Sequence, residues 1–115
     1  LDKTTLIRVV RATPLFWSPS AFIVSRDEKY LYIGYAKGII AVFDIQQQRF
    51  IVWFEAHKAR IKSLALDPND QWLLSSSLDD TTRIWVAGDR IIHHECIRTL
   101  ATQFHVCSIL LVPPH

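Results

Sequence analysis

Residues 57–86 read HKARIKSLALDPNDQWLLSSSLDDTTRIWV, and this stretch decides the fold. Within it Ser77, Asp79, Thr81 and Trp85 form an S-x-D-x-T-x-x-x-W string, with His57 standing 28 residues before the tryptophan. A β-strand puts alternate side chains on one face, so a tight turn carrying Asp79 holds it near Ser77. Trp85 sits on the returning strand, and its indole N–H needs an acceptor when buried. A histidine from an earlier loop completes a closed hydrogen-bond network. The spacing predicts a structural lock in a repeat scaffold rather than a reaction centre.

Outward from this stretch, apolar residues come in short bursts rich in Ile, Val, Leu and aromatics, separated by polar clusters. That is the punctuation of strands. Strands are expected near 5–10, 21–25, 30–35, 39–44, 49–54, 61–66, 71–77, 82–87, 95–100 and 106–112. No stretch has sustained helical periodicity; 89–100 comes nearest and reads as loop plus strand.

Residues 22–44 slide onto 64–86 at an offset of 42 without a gap. Leu31 and Leu73 are the single identity, yet the order of strand, turn, strand, tight turn, strand is the same in both. Phe22-Ile23-Val24 falls on Leu64-Ala65-Leu66, Tyr30-Leu31-Tyr32 on Trp72-Leu73-Leu74, and Val42-Phe43 on Ile84-Trp85. A third copy opens at the end, where VCSILLVP (106–113) lies over IKSLALDP (61–68). Periodic units of this length signal a repeat architecture.

A unit of this size, with four strands, a histidine before the first and an aromatic ending the third, resembles the WD40 repeat of β-propellers. The Gly-His pair of that family reads Ala56-His57 here, and its Trp-Asp pair survives as Trp85-Val86 in one unit and Phe43-Asp44 in the other. The resemblance implies an all-β fold of antiparallel four-stranded blades, an incomplete WD40-type propeller. It divides the chain into 1–20 (end of a preceding blade), 21–60 (degenerate repeat), 61–105 (near-complete repeat) and 106–115 (start of the next). It also implies a buried tetrad of His57, Ser77, Asp79 and Trp85, with Ser75 on the same strand face as the alternative serine.

Composition narrows the function. Of 115 residues, 50% are hydrophobic and 21% charged, so the chain builds a core. Thirteen Lys and Arg against eleven Asp and Glu leave a formal charge of +2. That balance argues against a nucleic-acid or membrane footprint. Arg8, Arg11, Lys58, Arg60 and Lys62 read as scattered, solvated bases. Cys96 and Cys107 make no disulfide framework, which points to a reduced, intracellular setting, cytoplasmic or nuclear. No apolar run approaches the roughly 18 residues of a membrane span. Leu1 in first place and the absence of Met suggest an excised segment or a processed protein.

Ser77 lies in S-S-S-L-D-D without the glycines of a nucleophile elbow, so a hydrolytic role for His57, Ser77 and Asp79 is not expected. His93, His94, Cys96, His105 and Cys107 repeat H-x-C but lack paired metal-ligand spacing, so neither metal nor cofactor is expected. Trp17 and Trp53 are expected to pack between blades. The function implied is a non-catalytic scaffold for proteins or peptides, completed by further blades of a parent chain or assembly. Its partner-binding rim would comprise Tyr35, Lys37, Lys58, Arg60, Leu78 and Asp80. The alternatives are a nucleic-acid-associated propeller subunit and a small zinc-binding β domain.

Overall fold

The computed structural model describes residues 2–14 and 17–101. Eight strands form two antiparallel four-stranded meanders. The first holds β1 (Pro19–Val24), β2 (Tyr30–Tyr35), β3 (Ile39–Asp44) and β4 (Arg49–Glu55). The second holds β5 (Ile61–Leu66), β6 (Trp72–Ser77), β7 (Thr81–Val86) and β8 (Cys96–Ala101). The strand expected at 106–112 lies outside the described residues.

The 42-residue period is present in the backbone. A bulge opens between Pro19 and Ala21 in β1 and between Ile61 and Ser63 in β5. A second register shift falls between Val42 and Phe43 in β3 and between Ile84 and Trp85 in β7. Positive φ recurs at Glu28 and Asp70, and again at Gly38 and Asp80. The turns are tied in the same way. Ser25 Oγ accepts from the backbone N–H groups of Lys29 (3.1 Å) and Tyr30 (3.0 Å). Asp67 Oδ1 accepts from those of Gln71 (2.6 Å) and Trp72 (2.7 Å). A short polar side chain that mimics a turn acceptor serves at both places. The units differ between their third and fourth strands. Residues 45–48 suffice in the first, whereas residues 87–95 in the second hold a 3-10 helix, Gly88–His93.

The sheets stack with β5 against β1 and β2. Tyr30, Tyr32, Ile40, Val42 and Phe54 of the first meet Ile61, Leu66, Leu73 and Trp85 of the second in one buried core. The approach is closest at Gly34, where an added Cβ would lie 2.5 Å from Ile61 Cγ2. Ser20, at the β1 bulge, donates across the gap to the Ile61 carbonyl at 2.7 Å.

Residues 5–10 are not a strand. They lie in helix α1 (Lys3–Ala12), whose N-cap Asp2 accepts from Thr5 N–H at 2.7 Å. The β-branched run misleads because packing, not propensity, decides this segment. Thr5 and Val9, at i and i+4, are its two buried residues, and Val9 joins Leu31, Ile33, Tyr35, Ala41 and Phe43 on the outer face of the first sheet. Trp17 joins the same cluster, 5.1 Å from the Tyr35 ring, rather than lying between the sheets. Trp53 touches Trp17 edge-on at 5.3 Å but stays 62% exposed, against the expectation of burial.

Candidate functional site: a buried hydrogen-bond lock and the rim above it

Loops 36–38, 56–60 and 78–80 lie at one end of the strands, and the lock is built where they meet. His57, on the loop from β4 to β5, is 2% exposed. Its Nε2 lies 2.7 Å from Ser75 Oγ, and its Nδ1 lies 3.0 Å from Asp79 Oδ2. Trp85 Nε1–H donates to Ser75 Oγ at 2.9 Å. Thr81 completes the set, its hydroxyl donating to Asp79 Oδ1 at 2.5 Å and its N–H to the same oxygen at 2.9 Å.

The serine in this network is Ser75, not Ser77. Trp85 is paired across the ladder with Leu73, so Ser75 is its diagonal neighbour on the same face, while Ser77 is two residues nearer the turn. At about 3.3 Å of rise per residue, that places Ser77 roughly 7 Å too far along. Ser77 instead ties the rim: its hydroxyl donates to the Ala59 carbonyl (3.0 Å) and accepts from Asp79 N–H (3.1 Å).

Charge fixes the direction of each bond. Burial depresses the His57 pKa, outweighing the opposing pull of Asp79, and keeps the ring neutral. Partial burial pushes the Asp79 carboxyl up. The Thr81 hydroxyl, the Lys58 and Thr81 N–H groups and His57 together overcome this and hold it well below the usual carboxylate range. A carboxylate only accepts, so the proton sits on Nδ1, facing Asp79 and also 3.0 Å from Thr81 Oγ1. Nε2 is then an acceptor, and the Ser75 hydroxyl donates to it while accepting from Trp85. Every polar atom of the five side chains has a partner.

This geometry disfavours nucleophilic chemistry. Ser75 is fully buried, and its oxygen lone pairs face the Trp85 donor rather than a substrate cavity. An acyl-transfer site needs an open nucleophile with oxyanion donors beside it. Among the described residues no cluster of three or more His, Cys, Asp or Glu is placed to hold a metal ion. Cys96 is exposed, with Thr99 Oγ1 and the Arg98 carbonyl beside its sulfur. His105 and Cys107 lie outside the described residues.

The lock carries the rim. Lys58 N–H donates to Asp79 Oδ2 (3.1 Å), and Leu78 N–H to the Arg60 carbonyl (2.9 Å). The Gly38 carbonyl accepts from Ala56 N–H (2.9 Å) and His57 N–H (3.0 Å). Lys37, Lys58, Arg60, Leu78 and Asp80 are all exposed here. Tyr35 is not part of this surface. It is fully buried beneath Trp17, its hydroxyl 3.4 Å from Thr13 Oγ1, because its position in β2 faces α1.

At the opposite end the sheets are tied by groups that carry no local sequence signal, being distant in the chain. Tyr30 donates its hydroxyl proton to Asp89, which also pairs with Lys29 at 3.3 Å. Gly88 N–H donates to Tyr32 Oη (2.9 Å), and Arg26 N–H to Asp70 Oδ2 (2.7 Å). Burial, only partly relieved by the Gly88 donor, pushes the Tyr32 phenol up to about 12.

Residues 48–86 match the family model "WD domain, G-beta repeat". The described residues superpose on the β-propeller domain of Cps50 (Swd1) from Myceliophteria thermophila with a TM-score of 0.67 at 17% identity, over 72% of this chain and 28% of that one. The two sheets have the fold of β-propeller blades. Human WD repeat-containing protein 36 is 27% identical over 77 residues, 67% of this chain and 9% of that protein. A ribosome biogenesis protein BOP1 homolog of Monosiga brevicollis is 35% identical over 60 residues, 52% of this chain and 7% of that protein. The chain thus spans less than a tenth of the length of these relatives, and its two blades do not close a ring. Among the described residues no helix is long and apolar enough to cross a membrane.

Proposed function

We propose that this chain contributes two consecutive blades to a larger propeller that acts as a non-catalytic platform for other proteins or peptides. On this reading 21–60 and 61–105 are successive repeats and 106–115 opens another. The setting proposed is intracellular, cytoplasmic or nuclear. The observation that carries the reading is the pairing of a saturated lock with an apolar side chain standing above it. Leu78 is 58% exposed on a turn fixed by Asp79, Thr81 and the Arg60 carbonyl. Rigid turns that hold exposed apolar and charged side chains suit partner binding, because little entropy is lost on association.

Lys37, Lys58, Arg60, Leu78 and Asp80 form the proposed contact surface. Similarity to a ribosome biogenesis protein BOP1 homolog supports a role as a component of an assembly. The test places a photo-crosslinking amino acid at Leu78 of the full-length protein, and for comparison at Asn69 on the opposite rim. Protein adducts from position 78 that disappear when Lys58 and Arg60 are both changed to Glu support the platform. Adducts from neither position, or equal adducts from both, would defeat it.

A further inference from the structure

We infer that the preferred partner of this rim is an acidic peptide segment carrying an apolar anchor residue, a conclusion that rests on the platform reading above. The first ground is the state of the basic side chains. Lys58, Arg60 and Lys62 are exposed, and none makes an ion pair among the described residues. Lys29 and Arg90, elsewhere on the surface, are each paired with a carboxylate. Asp79, the carboxylate that touches the Lys58 backbone, is taken up by His57, Thr81 and that N–H. It therefore leaves the Lys58 ammonium without a fixed partner.

The second ground is placement. Lys62 occupies the β5 bulge opposite Ser76 and Ser77, where the extra residue turns the side chain out of the ladder. Lys37 lies on the turn whose Gly38 carbonyl receives Ala56 and His57, so its backbone is fixed to the same loop as Lys58 and Arg60. Four bases thus stand against two acids, Glu55 and Asp80, on backbone that hydrogen bonds hold in place.

Leu78 supplies the third. Turns are normally filled by Gly, Pro, Asn, Asp or Ser. Here Ser77 and Asp79 do the turn's bonding, and Leu78 projects outward without joining the core. An exposed leucine flanked by bases suits a peptide that offers carboxylates on both sides of an apolar residue. The interspersed acids and the lone apolar contact disfavour a phosphate backbone, which rewards a continuous basic stripe.

The experiment measures fluorescence anisotropy of the full-length protein with a fluorescein-labelled poly-Glu peptide bearing one central Leu. A poly-Lys counterpart and an oligouridylate serve as the other probes. The Glu peptide should bind, with affinity falling as salt rises, and Lys58→Glu combined with Arg60→Glu should weaken it about tenfold. Leu78→Ser should weaken it about threefold without altering the salt slope. Asn69→Ala should leave it unchanged. Lys58→Gln, which retains the backbone bond to Asp79, separates charge loss from misfolding. Binding of the Glu peptide that ignores all rim variants, or tighter binding of oligouridylate, would overturn the inference. Crosslinking from Leu78 without any preference for the acidic peptide would overturn the ligand class alone and leave the platform standing.

Discussion

Ser75 and Ser77 show how much one pleat decides. Both are buried, both are serines, and they share a strand face. Ser75 joins a network with fully buried partners, so Ser75→Ala strands the Trp85 N–H and the His57 Nε2 and should cost about 1–3 kcal/mol. Ser77→Ala frees the Ala59 carbonyl and Asp79 N–H, which lie nearer the rim where water can replace the hydroxyl, and should cost less. Urea unfolding of the two variants measures the difference.

The same network gives a pH dependence. His57 has its folded pKa depressed below about 6.5, so the unfolded chain binds more protons in that window and stability falls as pH drops through it. Asp79 is also depressed, so its contribution is present above the usual carboxylate range and is lost on further acidification. Both effects have the same sign. His57→Gln should flatten the loss of stability that sets in as pH falls below about 6.5, read from melting curves at successive pH values.

At the scale of elements, the repeat was legible because its punctuation survives where its side chains do not. Turn acceptors at Ser25 and Asp67 and left-handed residues at Gly38 and Asp80 hold the period although only one leucine is shared. Two errors have physical causes. Helix α1 was hidden because its β-branched run reads as a strand until the sheet face that buries Thr5 and Val9 is known. Tyr35 looked like a rim residue because its counterpart at the 42 spacing, Ser77, borders the rim. Its large ring instead fills the α1-side cluster. Gly38 illustrates an element-level constraint. It has φ of +85°, and a Cβ there would overlap the His57 carbonyl oxygen. Gly38→Ala should therefore cost more than about 1 kcal/mol and shift the loop bearing His57. A lowered melting temperature together with a displaced His57 imidazole resonance would show it; unchanged values of both would refute the contact.

Across the whole molecule, each unit uses one sheet face differently. In the second blade that face carries Leu73, Ser75 and Trp85 and meets the first blade, with His57 supplied from the intervening loop. In the first, the equivalent Leu31, Ile33 and Phe43 meet α1 and Trp17, and an apolar cluster replaces the polar lock. The loss of the lock in one unit was visible in the sequence; what covers that unit's face was not, since it depends on α1. The blade interface concentrates on Phe54 and Trp85, whose rings lie 4.9 Å apart. Phe54→Ala should destabilise by about 3–5 kcal/mol through the cavity it leaves, and calorimetry of the full-length protein would register it. The ties at the far rim are more exposed, so Asp89→Asn should change stability far less than Phe54→Ala does.

The central claim is that His57 and Ser75 act as one structural unit under the rim. A double-mutant cycle of His57→Ala and Ser75→Ala, read by urea unfolding of the full-length protein, tests it most directly. The account predicts a coupling energy of about 1–3 kcal/mol, the double variant losing clearly less than the sum of the singles. Strictly additive losses, or unchanged stability in both single variants, would contradict it.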